Sequence, residues 1–212
     1  MTSAPLTLAQ LRYLTQYLVG DPQTSTYSVE MYLDAINFAI KDYAKKTGAT
    51  YIESTATPDA NGLCVIPTAY LRILRVLYSG SQLVESTFNF ESMKDPAWQT
   101  LIGAPKRWIL WSGAKVKLTP HLVSPTDATL GYVEDPTDLV DDTDIVDTRI
   151  PWAHHEYLKY SAAAWLLNLD GDGQENNLSG AYEAKFNVLI GYSDPVVESK
   201  VHSSRNQAIR EI

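Results

Sequence analysis

Hydrophobic residues recur at helical spacing in two stretches near the start of the chain. In the first stretch they lie three or four residues apart, on one face of a helix: Leu8, Leu11, Leu14 and Leu18. Thr7 and Gln10 have the spacing of a capping box, in which each side chain satisfies an amide that the helix start leaves free. A second stripe with the same spacing follows Ser28, a residue suited to the N-cap. The pattern predicts helices over residues 7–20 and 28–47.

Between about residues 50 and 134 the pattern changes to short apolar runs separated by turn residues. Asn61-Gly62 precedes one such run, and Ser79-Gly80-Ser81 separates runs over 71–78 and 82–88, which is typical of a β-hairpin. Three more runs follow, over 108–111, 115–118 and 128–133. One helical turn is expected in the interval from 91 to 101. The middle of the chain is therefore predicted to be a small antiparallel β insertion.

The last third of the chain begins with acidic residues and then returns to helical spacing. Residues 134–147 contain seven carboxylates and no basic residue, which predicts a solvated, extended connector because like charges repel. Pro151 suits a first helical position, and apolar stripes then predict helices over 151–169 and 177–191. Gly171-Asp172-Gly173 separates them, as in an antiparallel helical hairpin.

These elements predict an α+β fold with a single domain over residues 1–194. Its architecture is expected to be an antiparallel bundle of about four helices with the small antiparallel β region inserted over about 50–134. The helical spacing ends after Asp194-Pro195, so residues 195–212 are predicted to form an extended C-terminal tail.

Composition and charge narrow the function classes. Hydrophobic residues make up 45% of the chain and charged residues 20%, an ordinary globular balance. The net charge of −8 argues against a protein that wraps nucleic acid, since phosphate binding needs clustered Lys and Arg. The single cysteine, Cys64, has apolar neighbours and is expected to be buried rather than nucleophilic. With neither a secretion signal nor an apolar run of bilayer length, the protein is expected to be cytosolic when made.

Two segments have partial metal-site patterns, and both fall short. A helical zinc site needs histidines four residues apart, but His154 and His155 are adjacent and position 159 is Lys, so they are predicted to be partly exposed histidines at a helix start. Residues 168–179 resemble the opening of a calcium loop, but the twelfth position is Ser179 instead of the closing Glu. The acidic run over 134–147 lacks fixed ligand spacing. No metal and no cofactor are predicted.

Catalytic motifs are absent from the sequence as well. Neither a nucleophile elbow nor a phosphate-binding glycine loop occurs, so no catalytic residue is assigned and the chain is predicted not to be an enzyme. Trp165 lies on a helical stripe and is expected in the core. Four other tryptophans are either core residues or interface anchors, and the sequence leaves both open: Trp98, Trp108, Trp111 and Trp152.

The order of these elements, together with three sequence phrases, resembles the head-to-tail adaptors of tailed bacteriophages, the connector or tail tubular protein A-like family. The resemblance spans residues 8–192. The phrases are Ile66-Pro67 leading into Leu71-Arg72-Ile73-Leu74-Arg75-Val76, then Gly103-Ala104-Pro105-Lys106-Arg107-Trp108, then Leu130-Gly131-Tyr132-Val133 followed by Asp135-Pro136-Thr137-Asp138-Leu139.

The resemblance implies a structural virion protein at the neck of the phage, made in the host cytoplasm. Implied partners are eleven further copies in a ring of twelve, the portal protein and a downstream tail or nozzle protein, with genomic DNA passing through and no membrane involved. The C-terminal tail over 195–212 would be a docking arm, and its portal-docking candidates are Arg205, Ile209 and Arg210. Two alternatives are another neck or tail-completion ring protein, and a ligand-binding module or enzyme with Trp108 and Trp111 lining a pocket.

Overall fold

The computed structural model describes residues 4–66, 69–111, 114–121, 126–170 and 173–191. The chain divides into two compact units. The helical unit comprises residues 1–47 and 136–212, and the β unit comprises residues 48–135. The predicted tail over 195–212, with Arg205, Ile209 and Arg210, lies outside the described residues.

The helical unit contains four longer helices and one short helix in its described part. They are α1 (Leu8–Val19), α2 (Val29–Thr47), α4 (Trp152–His155), α5 (Leu158–Asp170) and α6 (Gly173–Leu189). The capping box at the start of α1 is formed as expected, with Thr7 accepting from the Gln10 amide and Gln10 accepting from the Thr7 amide. Gly20 ends α1 with a φ of 73°, a left-handed conformation that glycine adopts without strain. Helix α5 packs against α1, α2 and α6 and contributes a run of small buried residues to their core, Ala162, Ala163 and Ala164.

The helix predicted over 151–169 is interrupted in the structure. Pro151 is the N-cap of α4 rather than its first residue, and α4 lasts a single turn before α5 begins at Leu158. The amides of His154 and Tyr157 donate to carbonyls only three residues earlier, which winds this stretch more tightly than an α-helix. The prediction joined Pro151 to an apolar stripe that begins at Leu158, and that stripe carries no information on the residues between them.

The β unit is built from two four-stranded sheets. The first sheet has the order β1-β8-β3-β4, from strands β1 (Tyr51–Ala56), β3 (Tyr70–Tyr78), β4 (Ser81–Gln82) and β8 (Ala128–Glu134). The second has the order β2-β7-β6-β5, from strands β2 (Leu63–Val65), β5 (Val84–Ser86), β6 (Arg107–Trp111) and β7 (Lys115–Thr119). Helix α3 (Phe88–Lys94) and a 3₁₀ turn (Trp98–Thr100) follow β5. Residues from both sheets share one apolar core, including Val76, Trp108, Val116 and Leu130.

The predicted four-helix bundle with a small β insertion is therefore wrong, although both α and β elements are present as stated. The described residues form five helices of seven or more residues and two full sheets, and the β unit has its own hydrophobic core. The region is not purely antiparallel either, because β5 runs parallel to β6 with Val84 opposite Arg107. The predicted hairpin over 71–88 ends at β4. The chain then leaves the first sheet and enters the second, a change that a local pattern of apolar residues does not encode.

Gly131 lies at the centre of the first sheet, on β8 between β1 and β3. A Cβ atom at this position would lie 2.5 Å from Tyr51 Oη and 2.8 Å from Arg75 Cγ. These side chains cross over the glycine, where the Arg75 guanidinium lies 5.6 Å from the centre of the Tyr51 ring and pairs with Glu53. The missing side chain makes room for this cross-strand cluster.

The acidic connector contains a turn at 141–144 and is not simply solvated, so the prediction of a solvated run is wrong. Arg12 on α1 makes a bidentate pair with Asp142, with nitrogen–oxygen distances of 2.7 and 2.8 Å. Asn37 on α2 exchanges two hydrogen bonds with the backbone of Leu139, whose side chain is buried. The partners come from helices more than 100 residues earlier in the chain, so charge repulsion within the run did not decide its structure.

Candidate functional site

Helix α3 has an inverted distribution of polar and apolar residues. Its acidic residue Glu91 is only 2% exposed, whereas Met93 is 87% exposed and Phe90 is 56% exposed. Val84 on β5 is also exposed, and a cleft next to α3 is lined by Val84, Glu85, Phe90 and Arg107 together with Ser86 and Thr87. We call Val84, Phe90 and Met93 the α3 surface. Exposed apolar side chains of this size on a neighbouring helix and strand are typical of protein–protein contact sites.

Buried polar groups hold α3 in this orientation. Glu91 Oε1 lies 2.8 Å from Arg107 Nε and accepts a hydrogen bond of 2.6 Å from Ser86 Oγ. Thr87 caps the helix by accepting from the Phe90 amide. Trp98 Nε1 donates to Ser92 Oγ at 3.0 Å. Because the inward contacts are satisfied by Glu91 and its partners, the apolar residues of the α3 surface remain on the outside.

The four tryptophan candidates lie in different environments. Trp98 and Trp108 are buried, and Trp111 is partly exposed. Trp98 and Trp111 form an aromatic cluster with Phe88, the half-exposed first residue of α3, with ring centres 5.6 to 5.9 Å apart. Trp152 at the start of α4 is 45% exposed and is the candidate with the most accessible surface.

A second apolar feature lies on the helical unit, in a shallow groove of about 420 Å³ between α1 and α4. Its walls are mostly apolar: Leu6, Ala9, Gln10, Tyr13, Leu14 and Glu156. We call this the α1 groove. Tyr13 is two-thirds exposed at its edge, and Tyr17 is exposed one turn further along α1. Glu156 is exposed and is the acidic residue of the groove.

The two adjacent histidines differ, and the prediction that both are partly exposed is wrong for His155. His155 is fully buried, with Nδ1 accepting from the Leu6 amide at 3.2 Å and Nε2 lying 3.0 Å from the Ile150 carbonyl. This pairing requires the neutral ring with its proton on Nε2. Burial lowers the pKa of His155, and the neighbouring His154 adds to that effect. His154 is half-buried and bonds to Tyr43 Oη at 2.6 Å, so neither ring is oriented for a shared metal ion.

The structure also identifies two buried charged residues that sequence reasoning missed. Lys117 on β7 is buried and donates to the carbonyls of Asn61 and Gln99, and burial lowers its pKa against the opposing influence of Asp59. Asp21 follows α1 and accepts five hydrogen bonds, four from the loop to α2 and one from Tyr32. The segment from Asp21 to Thr26 contains Pro, Ser and Thr, which are typical of turns. It could have indicated that the Asp21 side chain accepts hydrogen bonds from the backbone of the loop. The alternation of apolar and polar residues along β7 gave no comparable indication that Lys117 is buried.

The residues considered for metal binding and thiol chemistry have structural roles. Ser179, the twelfth position of the calcium-loop pattern, is buried and donates to the Ala164 carbonyl, while Asp172 of that pattern lies outside the described residues. Within the ranges that the structure describes, His, Cys, Asp and Glu side chains form no group that could hold a metal ion. Cys64 is buried, and burial together with the charge of Asp59 raises the pKa of its thiol to about 11. None of the helices in the described ranges has the length and apolar character needed to cross a bilayer.

Comparison with known proteins identifies the family. No curated protein matches the chain. The sequence model of the SU10 adaptor protein family matches residues 6–207, nearly the whole chain. This agrees with the resemblance to phage head-to-tail adaptors, an assembly class in which exposed apolar surfaces such as the α3 surface are expected. The chain belongs to the SU10 adaptor protein family and is a bacteriophage adaptor protein.

Proposed function

We propose that this chain is the subunit of a twelve-copy ring that joins the portal of the phage head to the tail. Ring assembly is supported chiefly by the inverted helix α3, because a subunit that buries Glu91 and exposes Phe90 and Met93 is built for an apolar partner. Family membership supports the adaptor role. Catalysis has no part in the proposal.

We further propose that the ring surrounds the channel through which DNA leaves the head. Lysine and arginine total 17 in the chain and aspartate and glutamate total 25, so the subunit has a net charge of −8. A wall with this charge makes few contacts with DNA phosphates, whose binding depends on clustered basic residues. DNA would therefore pass without being held.

The docking arm over residues 195–212 is the proposed contact with the portal. It contains Arg205 and Arg210 on either side of Ile209, so an apolar anchor is flanked by two groups that can pair with carboxylates. Ordering such a segment costs on the order of 1 kcal/mol per residue, which only a large contact area can offset. Deleting residues 199–212 is expected to leave the melting temperature of the chain unchanged and to weaken its association with the portal. If the truncated chain unfolds, or if it binds the portal as well as the full chain does, the docking-arm hypothesis is wrong.

Mass measurement of the complex tests the whole proposal. The full chain is mixed with the purified portal protein of the same phage, and the product is examined by native mass spectrometry and electron microscopy. The expected product is one portal with twelve copies of this chain in a ring. A ring that binds a tail component but not the portal would favour another neck or tail-completion protein. A chain that stays monomeric at all concentrations with and without portal would refute the ring.

A further inference from the structure

We infer that the α3 surface of one copy docks into the α1 groove of the next copy. The inference rests on the proposed ring and specifies its subunit contact. A closed ring needs a heterologous interface, in which two different patches of the same chain meet. The described residues include an exposed apolar surface on helix α3 and strand β5 of the β unit and an apolar-walled groove on the helical unit.

Lys94 beside the α3 surface and Glu156 in the α1 groove carry opposite charges. Lys94 is exposed on the last turn of α3, next to Met93. Glu156 is exposed on the wall of the α1 groove. Docking Phe90 and Met93 against Leu6, Ala9 and Leu14 would bury apolar surface at the centre and leave Lys94 and Glu156 to pair at the rim. An apolar centre with a charged rim is the usual organisation of a protein interface.

Both patches are held in place before they meet. The Glu91–Arg107 pair orients α3, so the backbone that carries Phe90 and Met93 needs little ordering when they bind. Leu6 in the groove is positioned by the hydrogen bond from its amide to His155. Pre-organised partners lose less conformational entropy on association, which makes a modest contact area more effective.

Charge exchange tests the pairing. Lys94→Glu and Glu156→Lys are each expected to raise the concentration needed for half-maximal ring assembly by about tenfold, because each places two like charges together at the rim. The double variant Lys94→Glu/Glu156→Lys restores opposite charges and is expected to assemble like the original chain. Lys115→Glu on β7 and Glu183→Lys on α6 change exposed residues of the same types elsewhere and serve as matched controls. Circular dichroism is used to check that every variant is folded.

Disulfide trapping tests the contact directly. Met93→Cys and Tyr13→Cys are made as separate proteins, and the native Cys64 is buried and does not compete. Because the contact joins different patches, neither protein alone is expected to cross-link on oxidation, whereas their mixture is expected to form covalent pairs and the double variant a ladder of higher oligomers.

The outcomes separate the inference from the proposed function. Suppose that the unmodified chain forms rings. If the single charge variants then assemble normally, or if the double variant does not recover normal assembly, the docking contact is wrong but the proposed ring is unaffected. Absence of covalent pairs in the mixture overturns the contact in the same way. If the unmodified chain forms no ring under any condition, with or without portal, the proposed function fails and the contact fails with it.

Discussion

Replacement of Asp21 offers a sensitive test of how the α1–α2 connection is stabilised. One carboxylate oxygen accepts from the Ser25 amide at 2.7 Å and from Ser25 Oγ at 2.9 Å. The other accepts from the amides of Thr26 and Tyr27 and from the Tyr32 hydroxyl, at 3.0 to 3.2 Å. Ser25 and Thr26 are exposed, so their amides can turn to water when the carboxylate is removed, whereas Tyr27 and Tyr32 are buried.

Asp21→Ala is therefore expected to leave two buried donors without an acceptor. Each such group costs about 1–3 kcal/mol, so the free energy of unfolding should fall by about 3 kcal/mol. Asp21→Asn should cost less, about 2 kcal/mol, because its remaining oxygen can still accept from Tyr27 and Tyr32 while its NH₂ group faces the Ser25 donors and the carboxylate charge is lost. Urea denaturation followed by circular dichroism measures the change. Asp34→Ala, at an exposed site on α2, is the matched control and should change stability by less than about 0.5 kcal/mol.

The same site predicts a pH dependence. Burial alone would raise the pKa of Asp21, but the hydrogen bonds from Tyr27, Ser25 and Thr26 outweigh it and lower the pKa from 3.8 to about 2. The unfolded chain then takes up a proton before the folded chain does, so the stabilisation is complete above about pH 4 and is lost as the pH falls towards 2. The difference between the original chain and Asp21→Asn should therefore shrink between pH 5 and pH 3. A difference under 1 kcal/mol at pH 7, or one that does not change with pH, would refute this account.

Three further substitutions test other buried features, each by urea denaturation. Gly131→Val should destabilise by about 1–3 kcal/mol, since its side chain displaces Tyr51 and Arg75, and a stability equal to the original would contradict that crowding. Glu91→Ala should cost about 3 kcal/mol by leaving Arg107 unpaired, and a neutral effect would show that the pair does not hold α3. His155→Ala should cost about 2–3 kcal/mol through its two lost hydrogen bonds, and an unchanged midpoint would exclude that role.

Part of the fold could be predicted because its signals are local. The capping box at Thr7 and the spacing of the leucines after it depend on residues within one or two turns, so α1 begins and ends where these residues indicate. The order of elements and the three phrases around Arg72, Lys106 and Gly131 were enough to indicate the phage adaptor family. Cys64 was expected in an apolar environment because its immediate neighbours are apolar, and it is buried.

Contacts between distant residues decided the rest. Apolar alternation marked the strands, but it carried no information on which sheet each strand joins, so the parallel pairing of β5 with β6 was missed. Glu91 would be placed on the surface by its charge, but Ser86 and Arg107, sixteen residues later, make its burial favourable and leave Phe90 and Met93 outside. His155 is buried because Leu6 and Ile150 converge on its two nitrogens. Local spacing determines secondary structure, whereas the burial of a charged or polar group depends on partners that only the tertiary fold brings within hydrogen-bonding distance.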